Sequence, residues 1–440
     1  MDACLRRAWG VRMKRTIGVV GGGAAGMTAA ILAARNGAYV TLLEGNDRVG
    51  KKILSTGNGK CNLGNMDLGP ERYGTCSPGR LKAWLEQFDT QAAIEFFRAM
   101  GLLTKQKNGG LYPVSEQASS VLDVLRFELE REERIRVRTG CKVDRIRRDE
   151  GRNRIRVWSG GELLAFDRVI LACGGRAAPK TGSDGSGYRL AEMLGHSIVP
   201  VVPALVQLKC REDWFKSVAG VRADAEILLE DQKMGSIRER GELQLVDYGI
   251  SGIPVFQLSG RVNYILREKK EVTLKIDFLP GFEDEPKGAV EMSRPDFEGR
   301  TGEFAERLVR ERMPVEACAT VEEYFNGVLH KKLMTLLIKL AGLRPSEPAS
   351  GADPVKIRRV YELCRCLEVH VTGSNSFEHA QVCAGGVPLD ELTENLESIK
   401  APGVFFAGEL LDVDGRCGGY NLQWAWCSGY LAGVFAAEGE

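Results

Sequence analysis

Short β-branched runs alternate with stretches of helical spacing through the first two hundred residues of this chain. Thr16–Val20 (TIGVV) is a continuous apolar run of strand length and predicts a buried strand. After a cluster of glycines, the alanine- and leucine-rich stretch MTAAILAARNG ends at Gly37, which predicts a helix closed by a C-terminal glycine. Ala38–Leu43 (AYVTLL) predicts a second strand, ending on Glu44. Residues 120–134 (SVLDVLRFELEREER) carry apolar side chains at i, i+3, i+4 and i+7, as an amphipathic helix does. Strands are then predicted at 141–148, 154–160 and 162–175, the last running apolar into Gly174-Gly175.

From about residue 198 to 377 the pattern changes. AEILLED and VTLKIDF alternate and predict half-exposed strands, whereas residues 281–300 are polar and turn-rich. EFAERLVRERM and HKKLMTLLIKLAG predict amphipathic helices. This middle reads as an insert of β-barrel or sandwich character carrying a helical subdomain at about 295–345. Apolar strand character returns at Val404–Ala407. It is followed by Gly408-Glu409, by Asp412 and Asp414, and by a glycine pair, Gly418-Gly419, that opens a helix of small and aromatic residues. His196 follows Gly195 at a predicted helix end, where a cation complements the dipole, and is read as a cap.

Composition narrows the class. At 440 residues the chain exceeds one compact core, so two or three domains are expected. Sixty basic side chains against 59 acidic ones give a net charge of +1, no field to draw it to nucleic acid or an anionic membrane. No apolar run reaches the ~18 residues that span a bilayer, and MDACLRRAWGVR lacks a signal-peptide pattern, so a cytoplasmic location is expected. That stretch reads as a ragged extension ahead of Met13. Twelve cysteines include a single CxC, Cys364–Cys366, and no CxxC; with four scattered histidines they offer no metal-ligand spacing.

The glycine cluster carries the first chemistry. Gly21-Gly22-Gly23-Ala24-Ala25-Gly26 is a GxGxxG between strand and helix. Gly21 permits the tight turn, Gly23 lets the backbone approach a pyrophosphate, and Gly26 lets the helix pack on the strand. The helix N-terminus, at Ala24 and Ala25, offers free N–H groups to that pyrophosphate. Glu44, eighteen residues beyond Gly26, is expected to accept the ribose hydroxyls and disfavours a 2′-phosphate. The loop after it, GNDRVGKKILSTGNGKCNLGN, begins at Gly45, has no helix or strand period, and suits phosphate wrapping by amides and cations.

The succession strand–GGGAAG–helix–strand–Glu44 followed by VGKKILSTGNGKCN resembles the BaiN/YhiN-like family of flavoproteins. The resemblance, carried by motifs at both ends and covering about residues 13 to 437, implies a Rossmann-like FAD-binding domain built from 13–197 and 378–440. The insert, 198–377, is then a barrel-like domain over the flavin face. It implies that Lys52–Asn62 runs along non-covalent FAD, with Lys52, Thr56, Gly57, Asn58, Cys61 and Asn62 as contact candidates. Cys61 is held as packing rather than as a redox thiol. Val143 is implied for backbone contacts to the adenine, and Gly174 for the return of the chain to the nucleotide domain. At the C-terminal end, Gly408 with Glu409 or Asp412 is implied for the ribityl chain. Gly419, Asn421 and Leu422 are implied for main-chain contacts at the flavin pyrimidine, where a helix N-terminus would stabilise negative charge.

A single GxGxxG leaves no dedicated nicotinamide domain, so NAD(P)H, if used, binds transiently over the flavin. The resemblance implies a reductase of conjugated C=C bonds in a steroid- or bile-acid-like enone, or an aminoacetone-like amine oxidase using O2; a flavin-binding regulator without turnover is the third reading. The substrate is expected to be a small molecule. Asp247-Tyr248, ahead of Gly249-Ile250-Ser251-Gly252, and Tyr112 are the candidates for proton donation.

Overall fold

The computed structural model describes residues 15–149, 151, 154–232, 235–282, 297–311 and 314–438. The N-terminal extension and most of the polar 281–300 segment lie outside the described residues. Two compact units emerge, one formed by residues 1–202 with 380–440, the other by 203–379.

The first unit is organised by a five-stranded, wholly parallel sheet. In spatial order its strands are Val404–Phe406, Arg168–Leu171, Thr16–Val20, Tyr39–Leu43 and Ile135–Arg138. The strands read as near-continuous apolar runs because the central ones are covered on both faces. Helix Ala24–Arg35 packs against the C-terminal helix, Tyr420–Ala437. Their approach needs small residues: a Cβ on Gly429 would lie 2.4 Å from the Ala25 carbonyl oxygen, and one on Gly433 2.5 Å from that of Ala29.

The predicted strand 162–175 is in fact two. Glu162–Phe166 pairs antiparallel with Arg154–Ser159, while Arg168–Leu171 joins the parallel sheet. Asp167 makes the break: its carboxylate accepts both the N–H and the hydroxyl of Thr16, at 2.7 Å each. Phe166 covers Gly18, where a Cβ would meet its ring at 2.6 Å.

His196 corrects the capping expectation. It is buried, not a solvated cation at the end of helix Ser186–Met193, and sits between Glu391 Oε2 and Ser398 Oγ at 2.7 Å each. Burial lowers its pKa from the ordinary 6.5, opposed by Glu391, whose own carboxyl is held down to about 2 by hydrogen bonds from Lys400, Ser197 and His196 despite its desolvation. Both shifts leave the unfolded chain binding more protons than the folded one in acid. Stability is therefore full at neutral pH, declines below about 6.5, and declines again from 4.5 towards 2. His196→Gln, which can still hydrogen-bond but does not titrate, is expected to flatten the fall in Tm between pH 6.5 and 5. Parallel Tm–pH curves for the two proteins would refute the assignment.

The second unit is a closed six-stranded antiparallel barrel. Around it run Leu208–Cys210, Gly249–Gly252, Gly235–Val246, Arg222–Asp231, Val272–Asp277 and Leu367–Ser374, which returns to the first. Helix Ile253–Leu266 places Val255, Leu258 and Val262 in the barrel core. Helices Phe297–Glu311, Lys331–Leu340 and Pro354–Arg365 belong to the same unit. A buried ion pair, Arg365 Nε to Asp277 Oδ2 at 3.2 Å, ties the last of these to the barrel. Among the described residues no helix is long and apolar enough to cross a membrane.

Candidate functional site

The first unit holds a cavity of about 380 Å³ lined from both ends of the chain. Its floor is the turn after the first strand. Gly21 has φ +104, and a Cβ there would strike the Ala172 carbonyl oxygen at 2.4 Å. Gly23, by contrast, has an ordinary extended backbone, and a Cβ on it would meet no protein atom within 4 Å. It fronts open cavity. Gly23 caps helix Ala24–Arg35 without any side-chain cap, so first-turn N–H groups remain for an anion in the space beside Ala24 and Ala25. Gly26 does not line the cavity but lets the helix seat: its Cβ would lie 1.8 Å from the Gly21 carbonyl oxygen.

Glu44 lines the cavity but is not a free acceptor. Its Oε2 takes the Gly22 N–H, and its Oε1 takes the backbone and side-chain N–H groups of Asn46, all at 2.7 Å. A carboxylate offers about four acceptor sites, so one on Oε2 remains for a ribose hydroxyl. Gly45, Lys52, Thr56, Val143 and Gly174 also line the cavity.

From the other terminus come Gly408, Glu409, Asn421 and Leu422. Gly408 (φ +74) is fixed by the C-terminal helix: Ser428 Oγ accepts its N–H at 2.8 Å, and Trp424 Nε1 donates to its carbonyl at 3.2 Å. Glu409 bridges Lys52 Nζ at 2.7 Å and the Cys383 N–H at 2.9 Å. Asn421 is oriented by its amide, which bonds both backbone groups of Gly415. Gly419, with φ +99, is the N-cap of helix Tyr420–Ala437, again without a side-chain cap. Gly419 itself is off the cavity lining, but Asn421 and Leu422 of the first turn are on it, so two uncapped helix N-termini belong to one site.

Other candidates stand apart from the cavity lining. Gly57 and Asn58 are exposed, both in left-handed conformation. Cys61 is buried with its thiol pushed up to about 12 by desolvation, an inert packing residue. Asn62 lies under the C-terminal helix, its Oδ1 2.6 Å from where a Gly419 Cβ would be. Asp412 is buried, off the cavity lining, and accepts the Cys76 N–H at 3.2 Å. Tyr112 lies in strand Gly110–Pro113 of the first unit, off the cavity lining. Asp247 and Tyr248 are exposed at a barrel hairpin of the second unit, Tyr248 Oη accepting from Asn375 Nδ2 at 2.9 Å. Sequence reasoning missed Asn46, Lys142, Ser183 and Asp184, which also line the cavity. Asn46 was legible as an Asx residue two positions after Glu44; Lys142 and Asp184 come together only in the fold, as an ion pair.

These residues suit an extended anionic dinucleotide: a glycine cradle that a side chain would fill, two helix N-termini, and a spare carboxylate acceptor. The HI0933-like protein Rossmann domain matches residues 15–435. The chain belongs to the HI0933-like family. It is an FAD-dependent oxidoreductase. A relative from Clostridium scindens, named 3-dehydro-bile acid delta(4,6)-reductase, is 42% identical over 96% of this chain and 99% of its own. Two proteins named ribosomal RNA dihydrouridine synthase are also similar. That of Haemophilus influenzae is 28% identical over 94% of this chain and 97% of its own, and that of Escherichia coli 26% over 94% and 95%.

Proposed function

We propose that this chain reduces a C=C bond conjugated to a ketone in a steroid- or bile-acid-like substrate, with NADH or NADPH as the transient reductant. The observation that carries this reading is the 42% identity to a bile-acid reductase along nearly the whole of both chains. FAD supplies two-electron hydride chemistry between the two substrates. Overall, enone, NAD(P)H and a proton give the saturated ketone and NAD(P)+.

The chain's own residues have defined work in this scheme. The glycine cradle and the first-turn amides at Ala24 and Ala25 bind the pyrophosphate. Glu44 orients the ribose, and the N-terminus of helix Tyr420–Ala437 favours negative charge at the pyrimidine edge. The substrate carbonyl needs a hydrogen-bond donor where negative charge develops. Of the three candidates, Tyr112 shares a unit with the cavity: a Cβ on Gly110 would lie 2.8 Å from Asn62 Nδ2 and 2.9 Å from the Tyr112 ring. The dihydrouridine synthases named among the relatives point the same way chemically, since forming dihydrouridine also reduces a C=C conjugated to a carbonyl. A net charge of +1 favours the small-molecule substrate over RNA.

Anaerobic stopped-flow mixing tests the direction. NADH or NADPH is expected to bleach the flavin, and a 3-oxo-Δ4 steroid to restore it. Tyr112→Phe should slow the second step roughly tenfold or more, as loss of one developing-charge donor does, and leave the first intact. Bleaching by aminoacetone or an amino acid, with both nicotinamides inert, would overturn the reductase reading in favour of an oxidase.

A further inference from the structure

One strongly charged cluster in the first unit has no part in the site described above. Glu116 Oε1 lies 2.8 Å from Lys105 Nζ and 3.4 Å from Lys107 Nζ, and its Oε2 lies 3.1 Å from Lys60 Nζ. Three ammonium groups thus converge on one carboxylate, whose pKa they hold down to about 2, Lys105 foremost. The loop's other lysines are matched singly, Lys51 with Asp47 and Lys52 with Glu409. The cluster is left with two uncompensated positive charges, against +1 for the entire chain. Glu116 is fixed in place by a left-handed backbone, φ +50, and by its N–H on the Pro113 carbonyl at 2.9 Å. The lysines are therefore pre-gathered, and an incoming anion has less side-chain entropy to overcome.

The cluster's position gives it a ligand. Lys60 is two residues from Asn62, within about 7 Å along the chain. Asn62 Oδ1 is buried without a hydrogen-bond partner and lies beside Gly419, the cap of the helix at the flavin's pyrimidine end. Lys107 pairs in register with Gly110, whose Cβ position abuts Asn62, and Lys105 pairs with Tyr112. The lysines thus stand on segments that meet at Asn62, which abuts the cap of the helix whose Asn421 and Leu422 line the cavity. A nicotinamide that approaches the flavin must leave its phosphates outside, and the sequence holds no second GxGxxG to receive them.

We propose that Lys60, Lys105 and Lys107 form the docking site for a phosphate of the reduced nicotinamide dinucleotide. The inference rests on the reading of NAD(P)H as reductant. Point charges on flexible stems suit a phosphate that comes and goes with each turnover, and a cluster this exposed binds in a salt-dependent way.

The test is calorimetric titration of the FAD-loaded full chain with NADP+ and with NAD+, which bind without reducing the flavin. The triple variant K60Q/K105Q/K107Q is expected to keep its FAD and to bind about tenfold or more weakly, as loss of three exposed charge contacts implies. A charge-matched control, K82Q/K331Q/K332Q, alters exposed lysines elsewhere and should bind as the wild type does. Weakening for NADP+ alone assigns the 2′-phosphate; equal weakening for both assigns the pyrophosphate. Unchanged binding in the triple variant, or equal weakening in the control, overturns the proposal. Wild-type protein that binds neither dinucleotide overturns the reductant reading with it. If a single-stranded RNA oligomer binds and loses affinity in the triple variant while NADP+ does not, the cluster belongs to nucleic acid and the proposal fails.

Discussion

Gly23→Val is expected to yield a folded protein without colour. A Cβ at this position meets no protein atom within 4 Å, and φ −83 with ψ −166 is backbone that valine adopts readily, so the fold has no reason to yield. What valine fills is the cradle in front of the first-turn amides of helix Ala24–Arg35. Each lost charge-assisted hydrogen bond is worth about 1.5–3 kcal/mol, so FAD affinity is expected to fall at least about a hundredfold. The neighbouring Gly26→Val is the counter-case, because its Cβ would stand 1.8 Å from the Gly21 carbonyl oxygen and the helix could not seat. Flavin absorbance per chain and the far-UV melting curve separate the two. A Gly23→Val protein with full flavin content would remove the phosphate site from this turn.

Ending the chain after residue 400 is expected to abolish both the flavin and the fold of the first unit. The truncation removes strand Val404–Phe406 from the sheet and the helix against Ala25 and Ala29. Phe405, Phe406, Trp424, Trp426 and Leu431, none more than 2% exposed, go with it. At about 2–5 kcal/mol each they account for at least ~10 kcal/mol, as much as the whole stability of a typical domain. The measurement is recovery of soluble protein and a cooperative melt for fragment 1–400. A cooperative, yellow fragment would separate the C-terminal segment from the site.

The local half of this architecture could be read from the chain and the relational half could not. Strand Thr16–Val20, the glycine turn and Glu44 lie within some thirty residues, so spacing alone specifies them. The barrel strands Arg222–Asp231 and Val272–Asp277 follow from alternation. The apolar run 162–175 hid its break, because only the contact of Asp167 with Thr16, 151 residues away, decides where one strand stops. Helices Ile253–Leu266 and Pro354–Arg365 both begin with proline in the first turn, a start signal that the nearby glycine-rich turn at 249–252 and the cysteine pair at 364–366 obscured. In the site, Lys52 was visible as a cation and Glu409 as an acid. That they share one ion pair depends on a fold that closes 357 residues of chain.

The last sheet pairing has a consequence for how the protein is made. Arg168–Leu171 has one neighbour in Thr16–Val20 and gains the other only from Val404–Phe406. More than two hundred residues of chain lie between Leu171 and Val404, the entire barrel unit, 203–379, among them. At translation speeds of about 5–20 residues per second, that edge waits unpaired on the ribosome for roughly ten to fifty seconds. An apolar parallel strand with open N–H and C=O groups is an aggregation template for as long as it stays open. The barrel, continuous in sequence, can close on itself in the meantime. The nascent chain is then a finished bead tethered to an unfinished sheet. Yield during expression should therefore depend on slow synthesis temperatures and on chaperones that shield strand edges, more than on the supply of flavin.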